Sequence, residues 1–410
     1  MIADSTQDFH PAFVVPRYGE EVVGGAEDLA RRTAEELASR GYPVTAVTTC
    51  ALDHHTWRDH YPEGRSELNG VEVLRFCALT NIADPSLHHV LARLQAGKSL
   101  SRAEQMVWLE GIVTSQGLLD HLAEEGGRYS HLVFLPSLFG TTYVGSLIHP
   151  ERSYIIPCLH DEPFAHQEVI HEMLGSVRGL IFNSPGERRL ASRLLGMEDP
   201  GPVVGMGFSP HRSDPAAFCD RTPVRGPFVL YAGRREEGKN TPLLVEYFRR
   251  FAIEHPRAAG LVLMGAGEVR IPPDSSHVIL DAGRVSESEK WDAYAAASVF
   301  CQPSVNESLS IVLLEAWLAG TPALVNRACE VTREHVRTSG GGLTFSDYPE
   351  FAEAVLMILE DEGRARAMGE AGRRYVETEY NWDSVIGRLQ SALDLDVMGL
   401  AGPAEARENA

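Results

Sequence analysis

Short apolar runs alternate with segments of helical periodicity along most of the chain, the pattern of parallel α/β units. Phe13-Val14-Val15 reads as a short buried strand, followed by a polar, glycine-containing loop from Tyr18 to Gly25. A helix is predicted from about Ala26, with Leu29, Ala30, Thr33, Ala34 and Leu37 on one face and Gly41 as its stop. Further strands are predicted at Val44–Thr49, His131–Leu135, Tyr154–Leu159 and Gly179–Asn183. Between them, Leu87 to Gly111 mixes His88, His89, Arg93, Lys98 and Arg102 with leucines and Trp108. It reads as a solvated amphipathic hairpin, with contact to lipid or a partner as the other reading.

The rhythm stops at residues 208–227, where Phe208-Ser209-Pro210, Asp214-Pro215, Thr222-Pro223 and Gly226-Pro227 carry no period, as expected of an interdomain linker. It then restarts, with strands predicted at Phe228–Tyr231, Leu261–Met264, Val278–Leu280, Val299–Pro303 and Ala323–Asn326, and helices at Thr241–Glu254 and Ser286–Ala297. The expected organisation is a first Rossmann-like domain over 1–208, a linker over 209–227 and a second over 228–382. Two doubly wound halves place a cleft at the carboxyl ends of both sheets.

Composition narrows the partners. The 410 residues carry 37 basic and 57 acidic side chains, a net charge of −20, which disfavours nucleic acid and general adhesion to anionic membranes. An anionic ligand would have to be held by a few placed cations. The six cysteines (Cys50, Cys77, Cys158, Cys219, Cys301, Cys329) show no CxxC pair and read as free thiols in a reducing compartment. Met1 to His10 is polar and acidic, unlike a secretory leader, and no run approaches the ~18 apolar residues that span a bilayer. A cytoplasmic location is expected.

Two stretches carry chemistry. In Pro303-Ser304-Val305-Asn306-Glu307-Ser308-Leu309-Ser310-Ile311 and on to Leu314-Glu315-Ala316, a strand ends at Pro303 and helical periodicity begins after Ser308. Glu307 is placed at the helix entry and Glu315 about two turns further in, ~12 Å along the axis. The N–H groups at Ser308 to Ser310 would be unpaired, an anion site. Two carboxylates beside such a site suit sugar hydroxyls flanking a diphosphate; taken alone, a Glu307 that caps the helix and a solvated Glu315 are the commoner reading. In Tyr231-Ala232-Gly233-Arg234-Arg235-Glu236-Glu237-Gly238-Lys239-Asn240, a strand runs into a glycine turn with two cations, Arg234 and Lys239, on one loop.

Together these stretches resemble family 4 of the retaining glycosyltransferases, whose usual patterns are Gly-Arg-x-x-x-x-Lys-Gly and Pro-Ser-x-x-Glu-Gly-Phe-Gly-Leu-x-x-Leu-Glu-Ala. The likeness extends to Val15-Pro16-Arg17-Tyr18 through Gly24-Gly25-Ala26-Glu27, to His160-Asp161, to Leu263–Gly267, to Trp317–Pro322, to Gly341-Gly342-Leu343 and to Tyr380-Asn381-Trp382. It departs at Ser308-Leu309-Ser310, in place of Gly-Phe-Gly, which reshapes the donor-sugar pocket, and at Asn240 in place of glycine.

The resemblance implies a GT-B fold, two Rossmann-like domains facing each other across a cleft, with a C-terminal helix (383–400) returning to the first. It implies sugar transfer, with retention and without a metal, from a UDP- or GDP-linked donor to an acceptor hydroxyl or thiol of a small molecule or glycan. Arg234 and Lys239 would hold the diphosphate and Glu307 the sugar hydroxyls. Glu315 would hold the ribose, and His160 would reach the anomeric centre. Gly24, Gly25 and Gly233 would allow close backbone approach, with Ser308, Leu309, Ser310 and Ile311 lining the donor site. By their place on loops at the cleft side of the first domain, Tyr18, Glu20, Asp53 and Trp57, with Glu21 and His54 beside them, read equally as acceptor-side candidates and as ordinary loop residues.

The rival readings are a GT-B epimerase or phosphorylase and a non-catalytic nucleotide-sugar binder. His54, His55 and His60 with Cys50 fit no usual metal spacing. Gly265-Ala266-Gly267 lacks the third glycine of a dinucleotide fingerprint, because Arg270 stands there. No cofactor is expected, and the oligomeric state is left open.

Overall fold

A computed structural model describes residues 9–394. The chain divides into two compact units, one made of residues up to Gly207 together with those from Trp382 onward, the other of Phe208–Asn381.

The first unit is built on seven strands: β1 (Pro11–Val14), β2 (Thr45–Thr49), β3 (Gly64–Leu68), β4 (Val71–Phe76), β5 (His131–Phe134), β6 (Ser153–Ile155) and β7 (Gly179–Leu180). Their order is β3-β4-β2-β1-β5-β6-β7. All neighbours are parallel except β3 and β4. Every residue of β1 and β2 is buried, as expected of parallel strands covered on both faces.

The β3–β4 hairpin escaped the hydrophobic pattern because most of β3 is exposed. Its turn was nevertheless written in the chain: Asn69-Gly70 takes positive φ at both residues (51° and 82°), the geometry that favours this dipeptide between antiparallel strands. Strand β6 is shorter than its apolar run. Pro157 has no N–H for a ladder and Cys158 turns to φ 53°, so the chain leaves the sheet before His160.

The 87–111 segment is a helical hairpin, Pro85–Gln95 capped by Asp84 and Arg102–Ile112 opened by a Ser101/Glu104 capping box. Trp108, Leu87 and Leu94 are buried, which makes this an amphipathic pair packed into the unit's own core. Among the described residues no helix is long and apolar enough to cross a membrane. The helix Trp382–Asp394 groups with this unit, through Arg40 Nη2 to Asp383 at 2.7 Å and Gln390 Nε2 to the Tyr42 hydroxyl at 2.8 Å. The expected continuation to residue 400 lies outside the described residues.

The second unit carries β8 (Phe228–Ala232), β9 (Gly260–Met264), β10 (Ile279–Gly283), β11 (Val299–Gln302), β12 (Ala323–Asn326) and β13 (Gly342–Phe345). The sheet is parallel, in the order β10-β9-β8-β11-β12-β13. The stretch 209–227 is not a bare linker. It contains a helix, Pro215–Arg221, N-capped by Asp214. Arg221 Nη2 and the Asp214 N–H both bind the Asp292 carboxylate at 2.7 Å, docking this helix on Glu287–Ala296. Local proline chemistry hid a segment whose order comes from tertiary contacts.

Among the parallel strands, the order reverses between β1 and β5 in the first sheet and between β8 and β11 in the second. At such a point, neighbouring strands send their following loops in opposite directions and leave room for a ligand. In the second unit, two glycines keep the strand ends close. Gly265 has φ 125°, and a Cβ there would collide with the Gly233 carbonyl. Gly265→Ala should therefore destabilise the second unit by about 2 kcal/mol or more, read as a lower midpoint in urea, with strain at φ > 0 and the collision both contributing.

Candidate active site

The loop after β8 and the loop after β11 meet at the second unit's switch point. The first passes Gly233, makes a short 3₁₀ turn at Glu237–Lys239 and enters the helix Thr241–Glu254 through Asn240. Asn240 takes φ 59°, a left-handed conformation that glycine adopts without strain and that asparagine tolerates better than most residues. Its side-chain amide donates to the Pro303 carbonyl at 3.1 Å, and Asn326 donates to the same oxygen at 3.2 Å.

Across the switch point, Lys239 Nζ binds Glu307 Oε1 at 2.8 Å. Gln302 Nε2 donates to the same oxygen at 2.8 Å, and to Ser304 Oγ at 3.2 Å. The Glu307 carboxylate is thus oriented from two sides, with 10% of its side chain exposed. Arg234 is more open, its side chain 46% exposed, and pairs with Glu236 at 3.1 Å. Its carbonyl accepts from the buried Tyr231 hydroxyl, which fixes the loop's path.

The helix begins at Ile311, later than the apolar pattern indicated, so Glu307 lies in the preceding loop. Ser310 stands at its N-cap with φ 68° and ψ 67°, a left-handed conformation that glycine adopts without strain. Among the described residues, no backbone or side-chain acceptor takes the N–H groups of Ser308, Leu309, Ser310 or Ile311. Ser310 is 4% exposed and its hydroxyl is also unpartnered.

Glu315 lies little more than one turn into the helix and is 1% exposed. Lys290 Nζ binds it at 3.0 Å and the Tyr294 hydroxyl donates to it at 3.1 Å. Burial works against the Lys290 ammonium, but Glu315 and Glu287 outweigh it and raise its pKa above the ordinary lysine value. Lys290, Tyr294 and Gln302 were missed from sequence. Nothing local distinguishes a lysine that turns inward from one on a solvated helix face.

In the first unit, His160 follows the buried Leu159 and is partly exposed, with Nδ1 3.8 Å from Glu162. The loop carrying it is fastened by Glu187, whose two carboxylate oxygens accept the N–H groups of Leu159 and Asn183, each at 2.7 Å. Burial pushes the Glu187 carboxyl up to about 8, against those two donors.

Gly24 precedes the helix Gly25–Ser39, and its Cα lies against the buried Arg17–Glu27 ion pair, where any Cβ would collide. Gly25 is exposed. Two acceptor-side candidates are corrected: Tyr18 and Trp57 are core residues, 0% and 2% exposed, with Trp57 packed edge-on against Phe139. Large rings on a polar-looking stretch served packing.

Glu20 and Glu21 are exposed, and Asp53 is half-buried. Asp53, His54 and His55 have ligand-capable atoms within 4.8 Å of one another, but Asp53 Oδ2 also accepts both the N–H and the hydroxyl of Thr56 at 2.7 Å, as in a turn. All six cysteines are free thiols.

Residues 220–375 match the family model of the glycosyl transferases, group 1. The GDP-mannose-dependent monoacylated alpha-(1-6)-phosphatidylinositol monomannoside mannosyltransferase of Corynebacterium glutamicum is 28% identical over 188 residues, covering 43% of this chain and 48% of that one. The D-inositol 3-phosphate glycosyltransferase of Xylanimonas cellulosilytica is 32% identical over 181 residues, covering 41% and 42%. The chain thus spans a little under half the length of these relatives. The sucrose-phosphate synthase of Thermosynechococcus elongatus superposes with a TM-score of 0.69 at 18% identity, over 94% of this chain and 99% of that one. This likeness shows the fold: two parallel-sheet α/β domains of the GT-B type.

Two measurements check the site's local physics. Ser310→Gly removes left-handed strain and a buried unpartnered hydroxyl, and should stabilise the second unit by up to ~1 kcal/mol in urea unfolding. His335, 1% exposed, has its pKa lowered to about 4 by burial, opposed by its bond to the Leu309 carbonyl. The unfolded chain takes up this proton near 6.5 and the folded one only near 4, so its contribution is complete above about 6.5 and is lost as pH falls toward 4. The melting-temperature difference between wild type and His335→Gln should change across that window and be flat above it.

Proposed function

We propose that this protein is a retaining glycosyltransferase of the family 4 kind. It would move a sugar from a nucleoside-diphosphate sugar to a hydroxyl or thiol acceptor. The observation that carries this reading is the convergence of Arg234, Lys239, Glu307 and four unpaired N–H groups at one switch point. Cations and helix amides are a diphosphate's complement, and the carboxylate, already neutralised by Lys239, is an acceptor for sugar hydroxyls.

In this mechanism Arg234 and Lys239 stabilise the charge that develops on the leaving phosphate oxygen as the glycosidic C–O bond breaks. The transition state is oxocarbenium-like. The departing phosphate takes the acceptor's proton on the face it leaves, and the new bond forms on that face, preserving configuration. Glu307 orients the sugar. The ribose role of Glu315, which is buried and bound by Lys290 and Tyr294, and the role of His160 at the transferred sugar both rest on the sequence resemblance. The two cations and the amides stand in for a divalent ion, so turnover should persist in chelator. The matching relatives named for GDP-mannose and for inositol phosphate make GDP-sugars the first donors to try and polyols the first acceptors, with UDP-sugars beside them on the sequence resemblance.

Lys239→Ala should lower kcat by at least ~100-fold, measured as nucleoside diphosphate release with the best donor–acceptor pair. Full kcat in that variant would put the diphosphate elsewhere. Conversion of donor without acceptor would instead identify an epimerase, and dependence on inorganic phosphate a phosphorylase.

A further inference from the structure

His335 lies on the helix Glu330–Ser339, behind the loop that ends at Ser310, and no step of the proposed mechanism uses it. Its imidazole is enclosed by aromatic rings, with centroids of Tyr375 and Tyr380 each at 5.8 Å and that of Trp317 at 6.5 Å. Nε2 lies 3.1 Å from the Leu309 carbonyl oxygen and Nδ1 lies 2.9 Å from the Tyr375 hydroxyl. Burial keeps the ring neutral, so only one nitrogen carries a proton. A carbonyl can only accept, so the proton is on Nε2 and Tyr375 donates to Nδ1. The tautomer is therefore set from behind.

The Leu309 carbonyl and the Ser310 N–H belong to one planar trans peptide and point in opposite directions. Holding the carbonyl toward His335 turns the Ser310 N–H away from it. Ser310 is more than nine-tenths buried, yet both its N–H and its hydroxyl lack a partner. Buried donors of this kind are rare and call for an acceptor. A flipped peptide would present the Leu309 oxygen there instead, and repel an anion.

We propose that His335 is a positioning residue for diphosphate binding: by fixing the Leu309–Ser310 peptide plane it aims the Ser310 N–H at the donor's phosphates. The inference rests on the proposed function and adds a residue whose role has no counterpart in the two motif stretches.

The test titrates GDP, GMP, UDP and UMP by calorimetry against wild type, Lys239→Ala, His335→Phe and His335→Gln. Phenylalanine keeps a ring in the aromatic cage but donates nothing; glutamine keeps an amide donor. For the preferred base, His335→Phe should weaken the diphosphate about tenfold and the monophosphate less than about twofold, while His335→Gln stays within about threefold of wild type.

A merely structural role would weaken both nucleotides together. Equal losses, or an unchanged diphosphate affinity in His335→Phe, overturn the proposal. If His335→Phe does not fold, Tyr375→Phe takes its place. It removes the hydroxyl that steadies the ring through Nδ1 and should cost the diphosphate alone about threefold; no loss there overturns the proposal as well. Lys239→Ala separates the two levels. If it binds diphosphate like wild type, the diphosphate site itself is misplaced and the role of His335 falls with it. If it loses affinity and the His335 variants do not, only the positioning role fails.

Discussion

Lys239 and Glu307 sit on loops that follow different strands, and the ion pair between them fixes how those loops stand across the switch point. Both groups are largely withdrawn from water, so the pair is a poor source of net stability, because desolvating two charges offsets most of their attraction. Its value is geometric. Without the ammonium, a carboxylate would stand near four unpaired N–H groups and compete with any anion for them. With it, Glu307 is neutralised and pointed, and Gln302 on the end of β11 holds it from the other side. The site's charge balance is set before a ligand arrives.

The same economy governs the backbone of that loop. Its carbonyls at Pro303 and Leu309 are each bound by side chains from neighbouring elements: Asn240 and Asn326 at one end, His335 at the other. A loop tethered through its carbonyls has its N–H groups directed by elimination. Asn240 and Ser310 both occupy left-handed conformations that glycine adopts without strain, so each adds side-chain chemistry to a path of the chain that glycine would also follow. Asparagine repays its strain with a hydrogen bond inside the protein. Serine leaves its hydroxyl unpartnered.

Much of this was legible in the chain. Buried parallel strands announce themselves as unbroken apolar runs, which is why β12 and the helix Thr241–Glu254 fall where the pattern places them. The cation pair and the first glutamate were readable because spacing within a motif survives folding. What was not legible depends on residues distant in sequence. The inward turn of Lys290 needs Glu315, 25 positions away. The tautomer of His335 needs Tyr375, 40 positions away. The burial of Tyr18 and Trp57 could not be read from loops rich in charge, and the helix at Pro215–Arg221 depends on Asp292 to dock it.

The bridge between Phe208 and Asn381 closes the second unit on itself, with the Phe208 N–H bound to the Tyr380 carbonyl at 2.7 Å. That unit is one continuous stretch of chain, whereas the first is assembled from two stretches separated by all of it. On the ribosome the usual order of domain completion is thereby inverted. The second unit has its whole sequence once residue 381 has emerged, while the first waits for Trp382–Asp394 to cover Tyr42 and Val204. Of the two units, the one whose chain emerges first is completed last, and until then its nascent surface lacks the helix Trp382–Asp394.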